Sequence, residues 1–107
     1  MAQILIAENE LALREFIARG LERRGHDVTL TDDGATALEA LKTQVFDLLL
    51  TDVDMPIMDG IALTQIAGPQ HPAMKIVIMS GHEHQLERAQ GLSTQVSRVV
   101  PDRKSVV

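Results

Sequence analysis

The sequence contains no cysteine, which excludes disulfide bonds and thiolate metal sites and is compatible with a reducing compartment. No uninterrupted apolar run approaches the roughly 20 residues that a membrane-spanning helix needs. The first residues also lack the pattern of a signal peptide. We therefore expect a cytoplasmic protein that makes no membrane contact.

Aromatic residues and clustered positive charge are also scarce. Phe16 and Phe46 are the only aromatic residues, so the chain offers no stacking platform for bases. The net charge of −5 argues against a nucleic-acid surface. The one basic cluster, formed by Arg19, Arg23 and Arg24, is diluted by nearby glutamates and is typical of the solvated face of a helix. We expect no nucleic-acid partner.

Short apolar stretches alternate with amphipathic ones along the 107 residues, a length that suits one domain with one core. The predicted strands cover residues 3–7, 26–31, 45–52, 75–80 and 96–100. Alternating strands and helices indicate an α/β fold, with a doubly wound parallel sheet of five strands and helices on both faces.

The spacing of apolar residues predicts where the helices begin, end and face the core. Asn9 is the expected N-cap of the first helix, Phe16 belongs to its inward face, and Gly25 ends it. A brief helix over residues 61–67 is expected to stop at Gly68-Pro69.

The segment from Phe46 to Gly60 is the centre of the functional interpretation. Its apolar run ends at Asp52, which turn-forming residues follow. In open α/β sheets, sites are built at the carboxyl ends of strands. We expect an Asp there to be exposed enough to react. A single Asp after a strand more often only caps a turn, so Asp52 needs support from the rest of the chain.

Further polar residues follow the other central strands. Glu8 and Asn9 come after the first strand and Ser80 ends the fourth, so all should converge with Asp52 on one rim. Their hard oxygens suit Mg²⁺, which would offset the charge of a phosphoryl group while the Asp52 carboxylate attacks phosphorus. Taken singly, each residue has a structural explanation as a cap or a turn residue. Taken together, they favour a site.

Four motifs lie in chain order within residues 3–82. They are Ile4-Leu-Ile-Ala-Glu8-Asn9-Glu10, Asp33-Gly34-Ala-Thr-Ala37-Leu38, Phe46-Asp47-Leu-Leu-Leu-Thr-Asp52-Val-Asp-Met-Pro56-Ile-Met58-Asp59-Gly60 and Ile76-Val-Ile-Met-Ser80-Gly81. The arrangement resembles the receiver domain of bacterial two-component response regulators, of the single-domain, CheY-like kind. The resemblance implies a flavodoxin-like sheet of receiver type.

The resemblance also implies the roles of individual residues. Asp52 would be the phosphoacceptor, taking a phosphoryl group from a histidine kinase or a phosphotransfer protein. Glu8, Asn9, Asp52 and the backbone carbonyl of Asp54 would hold Mg²⁺, and Ser80 would be the switch hydroxyl. The output would be phosphorylation-dependent binding of an unknown downstream protein. Such a domain is no enzyme beyond catalysing its own aspartyl phosphorylation and dephosphorylation.

Two site positions depart from the family pattern. Asn9 stands where receivers usually have an Asp, so we expect weaker Mg²⁺ binding. The Lys-Pro at the end of the fifth strand is missing, and the usual spacing from Ser80 arrives at Asp102. Lys104 is the nearest ammonium but is out of register, so it would pair with the phosphoryl group only if the loop slips.

The C-terminal region is expected to be short or atypical after about residue 95 of a single receiver domain spanning residues 1–107. The family's final helix would then be missing or displaced, leaving apolar residues near Leu13, Ile17 and Val99 under-covered. We expect a homodimer or a rearranged C-terminal segment to cover them. Sedimentation of a monomer at high concentration would argue against the homodimer.

Two alternatives remain open at this point. The first is a degenerate receiver that binds partners without phosphorylation. The second is a phosphatase of the haloacid-dehalogenase type, with Asp52 as nucleophile and Asp54 as acid/base, although Pro56 and Asp59-Gly60 fit the receiver better. A Mg²⁺-dependent response to acetyl phosphate separates a receiver from the first alternative. Steady turnover of a phosphate ester would identify the second.

Overall fold

The computed structural model describes residues 1–80 and 96–101, with side chains described through Met79. The strands are β1 (Gln3–Ala7), β2 (Asp27–Thr31), β3 (Leu48–Asp52), β4 (Lys75–Ser80) and β5 (Val96–Pro101), and the helices are α1 (Leu11–Arg23), α2 (Gly34–Thr43) and α3 (Gly60–Gln70). Within these described ranges, no helix is long and apolar enough to cross a membrane. The predictions for Lys104 and for the final helix concern residues outside the described part of the chain.

The strands form one sheet in the order β2-β1-β3-β4-β5, and every pairing is parallel. Successive side chains of β1 point to opposite faces of the sheet, as in any pleated strand. Leu5 and Ala7 pack into the core under α2 and α3, whereas Ile4 and Ile6 pack with Ala18 of α1. The predicted parallel sheet with helices on both faces is confirmed.

The prediction for β3 placed its start too early. The strand begins at Leu48, and Val45 is 81% exposed. Asp47 already ties this segment to the first strand, because its carboxylate accepts a hydrogen bond from the Gln3 N–H at 2.7 Å. Its own N–H donates to the Gln3 carbonyl at 2.8 Å. The chain therefore enters the sheet through Asp47, and the solvent-exposed Val45 precedes it.

The predicted start and inward face of α1 need correction. Glu10, not Asn9, is the N-cap, and its side chain makes no cap hydrogen bond. Phe16 is 57% exposed, and the buried residue of this helix is Ala18. A small residue at that position lets the helix backbone approach the sheet, which leaves Phe16 to the side of the contact. Gly25 follows the helix with a φ of 89°, as a glycine end predicts.

The prediction that Gly68-Pro69 stops the third helix is wrong, because α3 continues to Gln70. Pro69 is the penultimate helical residue, so it removes one donor only from the final turn. The N–H of His71 then donates to the carbonyls of Ala67 and Gly68 at 3.0 and 3.2 Å. These bonds close the helix end in spite of the proline.

Asp33 caps α2 and gives the fold a testable pH dependence. Its Oδ1 accepts hydrogen bonds from the Thr36 N–H at 2.8 Å and from the Thr36 hydroxyl at 2.9 Å. These bonds favour the charged carboxylate and lower the pKa of Asp33 below its usual 3.8.

Because the folded-state pKa of Asp33 is lowered, its charge stabilises the fold above the unfolded pKa. That stabilisation is lost as the pH falls through the folded pKa. We expect Asp33→Asn to be less stable than the parent protein at pH 6. The difference in stability between the two proteins should become smaller below about pH 4. Thermal unfolding of both proteins at each pH, followed by circular dichroism, measures this difference. A difference that stays constant with pH would contradict the capping role of the charged Asp33 carboxylate.

Candidate functional site

The sheet register brings Glu8 and Asp52 side by side. Ala7 of β1 pairs with Thr51 of β3, and each is followed by one of these acidic residues. Neighbouring strands lie about 4.8 Å apart, so the two positions are adjacent at the carboxyl edge of the sheet. Both residues have 0% exposure. Two buried carboxylates on adjacent strands repel each other unless positive charge compensates them.

The burial of Asp52 corrects the expectation that it is exposed. One of its oxygens, Oδ1, accepts a hydrogen bond from the Asp54 N–H at 3.1 Å, which fixes the carboxylate against its own loop. Val53 and Met55 of the same loop are buried as well. This bond holds the carboxylate in place, and a reactant can reach it only after the residues around it move.

Gly60 explains how α3 comes to lie so close to Asp52. A Cβ on Gly60 would lie 2.1 Å from the Asp52 carbonyl oxygen and 3.0 Å from the Thr51 hydroxyl. The Gly60 N–H donates to the Val53 carbonyl at 3.1 Å. Asp59 caps the helix, its Oδ1 accepting from the Ala62 N–H at 2.8 Å. The Asp-Gly pair of the central motif therefore begins the helix and seats it on the strand end.

The Glu8 side chain bonds to the backbone of Glu10, the N-cap residue of α1. Its Oε2 accepts a hydrogen bond from the Glu10 N–H at 2.9 Å, while Oε1 is fully buried. The Glu8 N–H donates to the Thr31 carbonyl at 3.1 Å, which continues the pairing of β1 with β2. Asn9 is exposed at the same edge. The structure thus brings Glu8 next to Asp52 and places Asn9 on the surface of the loop.

Ser80 is the last residue of β4, which lies beside β3. Asp52 pairs in register with Met79, so the backbone of Ser80 lies one residue beyond the level of Asp52. Ser80 in turn pairs with Pro101 of β5. The Ser80 side chain and Lys104 lie outside the described residues, so their roles stay predictions.

The loop from Val53 to Asp59 contains a strained turn. Ile57 has a φ of 72° and is 85% exposed, and the Met58 N–H donates to the Pro56 carbonyl at 2.7 Å across it. This is a γ-turn, which is unfavourable for a β-branched residue. A Cβ on Gly34 would lie 2.8 Å from the Met58 carbonyl oxygen. The loop therefore packs directly against the start of α2, a contact that the sequence did not suggest.

Arg14 was also missed by the sequence analysis. Its Nη1 donates a hydrogen bond to the backbone carbonyl of Glu8 at 2.8 Å. A side chain of this length on the first turns of α1 can reach back over the loop that precedes the helix.

The oxygen donors at the carboxyl edge fit Mg²⁺. Within the described part of the chain, no three His, Cys, Asp or Glu side chains come together to hold a metal. Glu8 and Asp52 supply two buried carboxylates, and Asn9 and the Asp54 carbonyl would supply neutral oxygens. Mg²⁺ binds through one or two carboxylates and keeps several waters, so this donor set suits it.

Comparisons with known proteins agree with this geometry. Residues 4–102 match the response regulator receiver domain. The response regulator receiver protein CpdR from Brucella abortus (strain 2308) is 44% identical over 81 residues, which are 76% of this chain and 68% of CpdR. The sensor protein EvgS from Escherichia coli (strain K12) is 39% identical over 90 residues, which are 84% of this chain but 8% of EvgS.

A solved structure supports the same fold. The response regulator protein TrrA from Thermotoga maritima, solved in complex with Mg(2+)-BeF, superposes with a TM-score of 0.84 at 22% sequence identity. The superposition covers 95% of this chain and 87% of that one. It extends the likeness from the matched motifs to the course of the backbone. This chain belongs to the response regulator receiver domain family.

Proposed function

We propose that Asp52 accepts a phosphoryl group from a phosphohistidine of a kinase or phosphotransfer protein in a Mg²⁺-dependent reaction. The protein then signals by binding another protein in its phosphorylated form. The observation that carries this proposal is that Glu8 and Asp52, both fully buried, lie side by side at the carboxyl ends of adjacent strands. The relative TrrA, solved with Mg(2+)-BeF, supports the metal requirement.

In the proposed reaction, an Asp52 oxygen attacks phosphorus and the P–N bond of the donor breaks. The electron pair returns to the imidazole nitrogen, which takes up a proton. The Asp54 N–H, 3.1 Å from Oδ1, orients the attacking carboxylate. Bound Mg²⁺ would offset the negative charge that gathers on the phosphoryl oxygens. Glu8, Asn9 and the Asp54 carbonyl would hold it beside Asp52.

The burial of Asp52 makes the loop from Val53 to Asp59 part of this proposal. A phosphoryl group has no room beside a carboxylate of 0% exposure, so residues around Asp52 must move when it is modified. We propose that the segment from Val53 to Asp59 is the part that moves. The strained turn at Ile57 lies in this segment, and Met58 contacts α2. The Ser80 hydroxyl would hydrogen-bond the new phosphoryl oxygens. Loop movement is then the change that a partner protein recognises.

Asp52→Asn tests the proposal, with Asp54→Asn as the matched control. We expect acetyl phosphate and Mg²⁺ to add one phosphoryl group to the parent protein and to Asp54→Asn, because Asp54 contributes its backbone. Asp52→Asn should show no phosphorylation, since an amide is not a nucleophile here. Intact-protein mass spectrometry reads the added mass. Labelling of Asp52→Asn to the parent level, or no labelling of the parent, would refute the proposal.

A degenerate receiver is the second candidate, and two departures favour it. Asn9 removes one charge from the metal ligands, and Asp102 stands where the family spacing places a lysine. In that case the same labelling experiment gives no product with the parent protein, while partner binding persists in Asp52→Asn. We propose no steady turnover of a small substrate in either case.

The remaining features of this proposal concern location and partners. We propose a cytoplasmic protein that meets a histidine kinase or phosphotransfer protein and one downstream protein. A second copy of the chain, or a rearranged C-terminal segment, that covers the apolar residues near Val99 and near Leu13 and Ile17 of α1 belongs to the same proposal. Phe16 on that helix is 57% exposed, which supports a contact there.

A further inference from the structure

We propose that Arg14 is a positioning residue of the magnesium site: its guanidinium holds the backbone of Glu8 and so fixes the Glu8 carboxylate beside Asp52. This inference rests on the proposed function, because it assigns a residue to the same site. Arg14 lies on α1, outside the motifs that carry the family resemblance, and it is half-buried.

The contacts of Arg14 hold the β1–α1 loop from the helix side. Its Nη1 donates to the Glu8 carbonyl at 2.8 Å, and its own N–H donates to the Glu10 carbonyl at 2.9 Å. On the other side, the Glu8 N–H donates to the Thr31 carbonyl at 3.1 Å. The Glu8 backbone is therefore bonded through both its N–H and its carbonyl.

The Glu8 carboxylate depends on this backbone. Its Oε2 accepts from the Glu10 N–H at 2.9 Å, so the side chain is oriented by the same loop that Arg14 clamps. If the guanidinium is removed, the Glu8 carbonyl loses its hydrogen bond from Arg14 and the loop is held less tightly next to the strand end. Outer residues that orient metal ligands commonly contribute 10- to 100-fold to metal affinity.

The distribution of positive charge also distinguishes Arg14. The other basic side chains described through Met79 are Arg19, Arg23, Arg24, Lys42 and Lys75. Arg19 pairs with Glu15 at 3.6 Å and Lys42 with Glu39 at 3.0 Å. The rest lie at the end of α1 or at the start of β4, away from the carboxyl edge. Among the side chains described, Arg14 is the cation that bonds to this edge.

The sign of the change in Mg²⁺ affinity shows whether Arg14 acts by positioning Glu8 or only through its charge. Removing a positive charge near a cation site should tighten Mg²⁺ binding if charge alone matters. Loss of the bond that positions Glu8 should instead weaken Mg²⁺ binding. We expect Arg14→Met, which keeps an unbranched apolar side chain but removes the guanidinium donors, to bind Mg²⁺ about tenfold more weakly than the parent.

Isothermal titration of Mg²⁺ tests this with three further variants. Arg14→Lys keeps a charged donor and should recover most of the affinity. Arg19→Met removes a cation from the same helix without touching Glu8 and should change the affinity less than about twofold. If Arg14→Met fails to fold by circular dichroism, Arg14→Gln replaces it, with weaker binding again expected.

Amide hydrogen exchange gives a second readout in the metal-free protein. The Glu10 N–H, which donates to Glu8 Oε2, should exchange faster in Arg14→Met than in Arg19→Met. Unchanged or tighter Mg²⁺ binding by Arg14→Met, or an equal loss in Arg19→Met, would overturn the role of Arg14 alone. A parent protein that binds no Mg²⁺ would overturn the metal-dependent function and this inference together.

Discussion

Gly60→Ala will destabilise the protein by about 3 kcal/mol, because the added methyl group meets backbone rather than a flexible side chain. The new Cβ would lie 2.1 Å from the Asp52 carbonyl oxygen and 2.8 Å from the Asp52 carbonyl carbon. Either α3 must retreat from the strand end or β3 must distort. Both changes disturb the loop that begins at Val53. Urea unfolding followed by circular dichroism measures the loss.

Gly20→Ala is the matched control for this prediction. Gly20 lies within α1, and a Cβ there would have nothing within 4 Å. Alanine in a helix interior is more favourable than glycine, so this variant should gain about 0.5–1 kcal/mol. Similar losses from the two substitutions would show that the close approach of Gly60 to Asp52 does not exist.

Leu49→Ala will cost about 3 kcal/mol of the unfolding free energy, because it opens a cavity in the larger core. Leu49 lies in the central strand β3, has 0% exposure, and packs in the cluster between the sheet and the helices α2 and α3. Few neighbouring side chains can move into the space, since those around it are also buried. The same urea titration measures this loss.

Leu50→Ala provides the comparison on the other face of the same strand. Leu50 is half-buried and packs with the smaller cluster beside α1. Its truncation should cost about 1 kcal/mol, because its side chain is already partly hydrated and leaves a smaller cavity. Equal losses at Leu49 and Leu50 would contradict the difference in burial between these two side chains.

The sheet was the part of the fold that sequence patterns determined well. The bounds predicted for β1 and β4 match the structure, because short apolar runs between turn-forming residues leave little freedom for a buried parallel strand. The adjacency of Glu8 and Asp52 follows from the same reasoning, since parallel strands end at one edge. Their chemical roles stay predictions.

The details that patterns missed depend on how closely elements approach. Phe16 has the spacing of a core residue, yet small Ala18 makes the contact with the sheet. Asp52 ends its strand where exposed residues are expected, yet it is fully buried, and Gly60 lets α3 begin directly against its backbone. The reach of Arg14 to Glu8 depends on a side-chain conformation that residue spacing does not determine. Such distances arise only when the whole chain packs.

The contact between Gly34 and Met58 constrains how this protein can vary. A Cβ on Gly34 would lie 2.9 Å from both Cβ and Cγ of Met58. Neither segment can therefore accept a bulkier residue or an insertion unless the other gives way. Two stretches separated by more than twenty positions must accordingly change as a pair when homologous sequences diverge or when loops are exchanged between proteins.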